Sequence, residues 1–305
     1  MPLKQPYWLS TTILVLVMLL SGASVAQDTT NYKLRKQIVV GGNAVAYTGT
    51  MVGLYALWYK DYPLEKFHFF NDNKEWLQMD KVGHAYSCYY EGVAGIEMMK
   101  WAGYTKKQYS LIGGSYGFFI QTGVEVLDGF STGWGASMGD MAANTLGSGL
   151  AIGQSLAWDE QRIFMKYSYN KSPYSDIRPN VLGSNLAERM LKDYNGQTYW
   201  LSGNIKSFLP ESKVPEWLNI AVGYGADGMI GGHSNVYESK GYTYDYSHVG
   251  RYRQFYISPD IDLTKIKTKR KGVRTLLIMV NALKFPMPAV EYHTDKGLRG
   301  HWIKF

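Results

Sequence analysis

The sequence predicts a mainly α protein: a glycine-rich bundle of about four helices, embedded in or apposed to a membrane, followed by a smaller α+β C-terminal region. Three observations predict this class. Three long stretches carry neither charge nor proline. Each holds two glycines four residues apart, which places both on one helical face. After Trp158 the chain changes to short apolar runs separated by turn-forming residues.

Composition limits the possible classes of protein. With 305 residues, of which 46% are hydrophobic, the chain can bury a real core, and this excludes a disordered chain or a disulfide-stapled peptide. The single cysteine, Cys88, can form neither an internal disulfide nor a thiolate zinc site. The net charge of +7 gives the chain a basic character without naming a partner.

Residues 1–26 have the pattern of a secretory signal peptide. Lys4 precedes a short apolar core, and small residues at Ser24 and Ala26 precede Gln27, as at a cleavage site. An uncleaved anchor is the alternative, although the core is short for a membrane span. No cysteine stands at the expected cut, so we expect export to the periplasm or an envelope membrane without a lipid anchor there. Nucleic acid is therefore not an expected partner.

Residues 27–165 are predicted to form the helical bundle. The uncharged stretches are residues 37–59, 108–124 and 141–158, and the apolar stretch 82–99 adds a fourth helix. Glycine destabilises an exposed helix by about 1 kcal/mol, so paired glycines indicate close contact between helices. Such contact is common in lipid, and a tightly packed soluble bundle is the alternative.

Residues 166–305 are predicted to form the smaller α+β region. A linker over residues 166–180 and a helix beginning at Pro215 are expected. Strands are predicted within residues 198–209, 253–257, 289–293 and 302–305.

Residues 265–274 contain six basic residues and no acidic one, directly before an apolar run. One interpretation is a surface for anionic lipid headgroups, at about 1 kcal/mol per basic residue. The other is a solvated loop. Membrane lipids or their anionic headgroups are the expected partners.

Three predicted helix ends carry polar side chains in a region poor in charge. Charged groups beside apolar helices are costly unless they are paired, solvated or bound to an ion. If the three ends meet, these side chains share one chamber. They are Asp80, Lys81 and His84, then Glu125 and Asp128, then Asp140 and Asn144.

A shared chamber predicts two kinds of chemistry. His84, Glu125 and Asp140 are candidate ligands of a divalent cation, because imidazole and carboxylate groups bind such ions. Without a metal, His84 is a candidate catalytic base, with Asp80 and Glu125 as catalytic carboxylates that orient it. Whether the protein is an enzyme stays open. The candidate ligand-binding residues are Lys81, which would meet a phosphorylated headgroup, and Asp128 and Asn144.

A structural polar network is the alternative to a binding site. Asp80 is a preferred helix N-cap, and Ser137 with Asp140 fits a capping box. His84 fits a hydrogen-bonded core histidine.

Two other functions fit parts of the sequence. Ser115 lies in a G-x-S-x-G motif, which predicts a serine hydrolase only if a strand precedes it and a helix follows. A non-enzymatic envelope scaffold would use aromatic residues of the C-terminal half, such as Trp217 and Phe255, to bind partners.

The polar motifs resemble those of a known family. D-K-x-x-H on one helix, a glutamate ending the next, and D-x-x-x-N-x-x-G opening a third resemble VanZ-like membrane proteins. Residues 128–140, DGFSTGWGASMGD, are more similar to the uncharacterised envelope family typified by YfiM, of predicted periplasmic lipoproteins. The resemblance covers roughly residues 70–160. It implies a helical bundle in or near a membrane, with the polar residues inside, and no particular reaction.

Overall fold

The computed structural model describes residues 31–60, 62–239 and 241–304, so the expected signal peptide lies outside the described residues. The contacts divide the described chain into two units. The helical unit comprises residues 31–73 and 81–161, and the sheet unit comprises residues 74–80 and 162–304.

Four long helices form most of the helical unit. They are α1 (Tyr32–Leu54), α2 (Met79–Trp101), α3 (Tyr116–Gly129) and α4 (Met138–Trp158), and the first two residues of α2 belong to the sheet unit. A π-helical turn, Tyr55–Tyr59, extends α1, and the short segments Lys106–Gln108 and Tyr109–Gly113 precede α3. The predicted stretches 37–59, 82–99 and 141–158 are therefore helical throughout, whereas 108–124 is interrupted by a turn at Ser115.

Glycine has two different roles in these helices. A Cβ atom on Gly117 would lie 2.3 Å from the carbonyl oxygen of Cys88, and one on Gly147 would lie 2.1 Å from that of Ala85. The α2 backbone thus approaches α3 and α4 too closely for any side chain at these positions. The predicted contacts at two other glycine pairs are wrong, because a Cβ atom there would meet nothing within 4 Å. Those glycines are Gly49, Gly53, Gly149 and Gly153.

The sheet unit contains a six-stranded antiparallel sheet with strand order β1-β2-β3-β6-β7-β8. The strands are β1 (Ile163–Tyr169), β2 (Gln197–Asn204), β3 (Leu218–Asp227), β6 (Tyr252–Ile261), β7 (Met287–His293) and β8 (Gly297–Lys304). A separate hairpin pairs β4 (Val236–Ser239) with β5 (Tyr242–Asp245). One buried cluster on the sheet consists of Trp200, Ala221, Tyr256 and Ala289.

Short helices connect these strands. Helix α5 (Leu186–Lys192) lies between β1 and β2, and α6 (Lys271–Val280) lies between β6 and β7. The remaining helical turns are Tyr174–Ile177, Pro179–Leu182, Ile205–Phe208 and Leu263–Lys265.

The predicted fold class, a mainly α four-helix bundle embedded in or apposed to a membrane, is wrong. The antiparallel sheet is a major element and not part of a minor extension. Among the described residues, no helix combines the length and the apolar character that crossing a bilayer requires. The physical reason is that glycine and small polar residues dilute the apolar side chains of the uncharged stretches.

The strand β3 shows why the sheet was underestimated. Pro215 suggested a helix start, but residues 218–227 are extended. Apolar Ile220 and Val222 are exposed, whereas the alternating positions Ala221 and Gly223 are buried. Because the buried positions hold small residues, the strand lacks the usual contrast between apolar buried and polar exposed positions.

A left-handed turn in the sheet unit leads into α2. Trp76, Leu77 and Gln78 have φ angles of 46°, 49° and 63°, a conformation that is costly for residues other than glycine. The Tyr224 hydroxyl donates a hydrogen bond to the Leu77 carbonyl, and Arg253 donates one of 2.6 Å to the Gln78 side chain. These contacts hold the turn from which α2 begins.

Candidate metal centre

The helical unit brings three of the predicted residues together. The Nε2 atom of His84 on α2 lies 4.0 Å from Oε1 of Glu125 on α3 and 4.0 Å from Oδ2 of Asp140 on α4. Glu125 and Asp140 are buried, and the His84 side chain is largely so. Three helices thus converge on one small polar site.

Asn144 determines the tautomer of His84. The Nδ1 atom of His84 lies 3.1 Å from Oδ1 of Asn144, one turn after Asp140 on α4. An amide oxygen only accepts hydrogen bonds, so Nδ1 carries the proton of the neutral ring, and Nε2 presents its lone pair. The thiol of Cys88 donates to the same oxygen over 3.3 Å. In the neutral ring, the Nε2 lone pair is consequently available on the side of Glu125 and Asp140.

Lys81 lies between two carboxylates. Its Nζ atom is 2.5 Å from Oδ2 of Asp72 and 2.9 Å from Oδ1 of Asp140. Burial favours a raised pKa for Asp72, but the hydrogen bonds from Lys81 and Ser137 outweigh it and hold that pKa below its usual value. The ammonium group therefore neutralises part of the acidic cluster.

Ser137, the N-cap of α4, contacts two carboxylates and the backbone of a third acidic residue. Its backbone N–H donates to Oε2 of Glu125 over 2.8 Å, and its hydroxyl donates to Oδ1 of Asp72 over 2.6 Å. The same hydroxyl accepts from the backbone N–H of Asp140 over 3.1 Å, as a capping residue does. Ser137 can cap α4 and support the site at the same time, because it binds Oε2 of Glu125 and leaves Oε1 near His84.

The other two predicted carboxylates have different partners. Asp80 lies one turn before His84 on α2, with a carboxylate oxygen within 4.8 Å of a ring nitrogen of His84. It accepts a hydrogen bond of 2.6 Å from the Tyr194 hydroxyl. Asp128, predicted to bind ligand, accepts one of 2.6 Å from the Tyr59 hydroxyl. Burial, and then the charge of Asp128, raise the pKa of Tyr59.

Sequence reasoning missed a buried carboxyl group beside the site. Glu91 follows His84 by seven residues, a spacing that returns to the same helical face and could have indicated it. Gln121 donates to its Oε1 over 3.0 Å, while Oε2 has no hydrogen-bond partner among the described residues. Burial raises the pKa of Glu91 to about 8. Asp72 was missed as well, because it lies in an irregular loop without periodic signal.

Ser115 is not placed as a hydrolase nucleophile requires. The segment before it, Tyr109–Gly113, is π-helical, and α3 follows directly, so no strand leads into the motif. The hydroxyl donates to the Leu111 carbonyl over 2.7 Å within the helical backbone.

Comparison with known proteins adds one similarity. Residues 68–154 match the model of a family described as predicted periplasmic lipoprotein (DUF2279), and this segment contains His84, Glu125, Asp140 and Asn144. No curated protein and no solved structure matches the chain. The family description confirms the expectation of export to the periplasm or envelope. Over this segment the chain is therefore similar to an uncharacterised family of predicted periplasmic lipoproteins, and the match supports neither the VanZ-like nor the YfiM-like name.

Proposed function

We propose that the helical unit of this exported envelope protein binds one divalent metal ion through His84, Glu125 and Asp140. One observation carries the proposal: the Nε2 atom of His84 lies 4.0 Å from an oxygen of each of two buried carboxylates, Glu125 and Asp140. Zinc bonds to nitrogen and oxygen are about 2.0–2.2 Å long. An ion bound to Nε2 of His84 would lie beside an oxygen of Glu125 and one of Asp140, and these side chains would move closer to complete the three ligands.

The local charge favours a cation over a phosphorylated headgroup. Among the described residues, Asp72, Glu125 and Asp140 contribute three carboxylates beside the ammonium group of Lys81. An excess of buried negative charge is costly unless a cation compensates it, and it would repel phosphate. Lys81, the residue predicted to meet phosphate, is engaged with two of these carboxylates.

The ligand types indicate the metals to test. Imidazole suits zinc, and carboxylates suit manganese and magnesium, so a mixed set points to zinc or manganese. Asn144 supports this interpretation, because metal-bound histidines generally donate their second ring N–H to a fixed acceptor. Three protein ligands would leave a fourth position for water, which zinc can activate for hydrolysis.

Elemental analysis of the purified full-length protein tests the proposal. We expect about one equivalent of zinc or manganese in the wild type, and at least a tenfold loss of affinity in His84→Ala and in Glu125→Gln. The matched control is His248→Ala, which removes an exposed histidine of the sheet unit and should leave metal content unchanged.

Three outcomes would contradict the proposal. The wild type could contain no metal and bind none on titration, or both site variants could bind metal as the wild type does. If His84→Ala fails to fold, the near-isosteric Glu125→Gln and Asp140→Asn variants still decide. Unchanged metal affinity in both of them would show that the cluster is a structural network.

A further inference from the structure

In the six-stranded sheet, many polar side chains are buried and many apolar side chains are exposed, which is the reverse of an ordinary sheet with one face in water. Along β6, Ser258 and Asp260 are buried, whereas Phe255 and Ile257 are exposed. On β7, Glu291 and His293 are buried, and Val290 is exposed. An antiparallel sheet with one face in water normally shows its polar side chains on that face. The exposed face is therefore built for an apolar environment.

The exposed apolar residues form a continuous row across four strands. Leu201 is directly opposite Val222, which is opposite Ile257, which is opposite Val290. Each of these four side chains is between 44% and 54% exposed. Single exposed apolar residues are ordinary on protein surfaces, but contiguous patches indicate an interaction site.

Aromatic residues flank this aliphatic row on both sides. Phe255 lies two residues before Ile257 of the row and is directly opposite both Tyr224 and Tyr292. The rings of Tyr224 and Phe255 are 5.5 Å apart. On the other side, Ile220 and Trp302 line a groove together with Ile257 and Val290 of the row, and Trp302 is 91% exposed. An aliphatic band bordered by tyrosine and tryptophan is typical of proteins that contact both the acyl chains and the headgroup layer of a bilayer.

The chain between β6 and β7 supplies positive charge next to exposed apolar side chains. Lys269, Arg270 and Arg274 are exposed at the start of α6. Val273 and Leu276 are exposed on the same helix and are three residues apart, so they share a helical face. A basic helix with an exposed apolar face is the pattern of interfacial helices that lie on anionic membranes.

We propose that the sheet unit docks on an anionic lipid bilayer through an apolar sheet face. This surface contacts lipid through strands and α6, and not through the glycine-rich helices. A bilayer explains the aliphatic band, its aromatic borders and the exposed basic residues at α6 together. A second copy of the chain would cover the apolar row but would bring another basic segment in place of an anionic partner. The apolar sheet face is the row of Leu201, Val222, Ile257 and Val290 with Phe255 and Trp302 at its borders.

Flotation of the full-length protein with vesicles tests this proposal. The vesicles contain phosphatidylcholine alone or phosphatidylcholine with phosphatidylglycerol. We expect the wild type to float with both and more strongly with the anionic vesicles. The double variant Val222→Glu with Ile257→Glu should bind at least about tenfold more weakly to both.

Two further variants separate the contributions. Lys269→Glu with Arg270→Glu should weaken binding to the anionic vesicles by at least about tenfold and leave binding to phosphatidylcholine unchanged. Leu146→Glu, a charge placed at an exposed apolar position of the helical unit, is the control and should bind as the wild type does.

The proposal is overturned if the wild type floats with neither vesicle, or if the Val222→Glu, Ile257→Glu variant floats like the wild type. It is also overturned if the wild type is a dimer that this variant converts to a monomer while neither binds lipid, since a second copy then covers the face.

If the double variant does not fold, fluorescence quenching by brominated lipids tests the proposal instead. They should quench wild-type tryptophan fluorescence substantially more than that of Trp302→Phe, and equal quenching would contradict the proposal.

Discussion

The Nδ1 atom of His84 lies 3.1 Å from Oδ1 of Asn144, and this contact determines how His84 can act. Because the amide oxygen accepts the Nδ1 proton, the basic nitrogen of the ring is directed to Glu125 and Asp140. Asn144 is thus a positioning residue for His84 in the proposed metal centre.

Replacement of this amide should weaken metal binding without removing a ligand. In Asn144→Ala, the ring of His84 loses the acceptor that sets its tautomer and orientation, and affinity should fall about 10- to 100-fold. Calorimetric titration with zinc and with manganese measures the change. Thr145→Ala, which alters the neighbouring hydroxyl bonded to the Met141 carbonyl, is the control and should bind normally. Wild-type affinity in Asn144→Ala would argue against this role.

The stability of the fold should depend on pH through Glu91. Burial raises the pKa of this carboxyl group from 4.5 to about 8 in the folded protein. Between these values the folded state binds more protons than the unfolded state, so the free energy of unfolding falls as pH rises, by at most about 1.4 kcal/mol per pH unit. The stabilisation by the protonated Glu91 is fully present below pH 4.5, the pKa of the unfolded state. It is lost as the pH rises through about 8, the pKa of the folded state.

Glu91→Gln should remove this dependence, so that its stability relative to the wild type increases with pH over the same range. Denaturant unfolding at a series of pH values measures the free energy of unfolding of both proteins. Glu97→Gln, an exposed position on the same helix, should follow the wild type. Parallel profiles for the wild type and Glu91→Gln would show that the carboxyl group is ionised in the folded state.

Two glycines of α4 should respond oppositely to the same substitution. In Gly147→Ala the new methyl group would meet the Ala85 carbonyl oxygen at 2.1 Å, so α2 and α4 must separate, at a cost of about 1–3 kcal/mol. In Gly149→Ala nothing lies within 4 Å, and the higher helix propensity of alanine should stabilise the protein by up to about 1 kcal/mol. Thermal unfolding of both variants checks the signs. Equal effects would mean that the two helices are not in close contact.

A buried ion pair should be important for the sheet unit. Nζ of Lys166 lies 2.8 Å from Oδ2 of Asp260, with both side chains fully buried, and Lys284 lies 3.6 Å from the other carboxylate oxygen. Lys166→Met should destabilise the protein by about 3 kcal/mol, because it leaves a buried carboxylate with weaker compensation. Lys267→Met, which breaks the exposed pair with Glu216, should change little. Denaturant midpoints measure both. Similar midpoints would show that Asp260 is adequately compensated by Lys284.

The helices were predictable because their signals are local. The absence of charge and proline over residues 37–59, 108–124 and 141–158 is visible in the sequence, and these stretches are helical in the structure except for a turn at Ser115. The sheet was not predictable to the same degree. Its pairing joins strands far apart in the chain, such as β3 with β6, and its reversed polarity hides the usual alternation.

By itself, the sequence determined the helices of residues 31–161 and the residue types available for a polar centre, because helical hydrogen bonds and face periodicity depend on neighbours a few residues apart. Only the tertiary structure decided which of those groups meet. It brought His84 close to Glu125 and Asp140, whereas Asp128 accepts a hydrogen bond from Tyr59 instead. It also placed two further acidic residues, Asp72 and Glu91, beside the site. Such contacts depend on how closely helices approach, and at Gly147 that distance is set by a carbonyl on another helix.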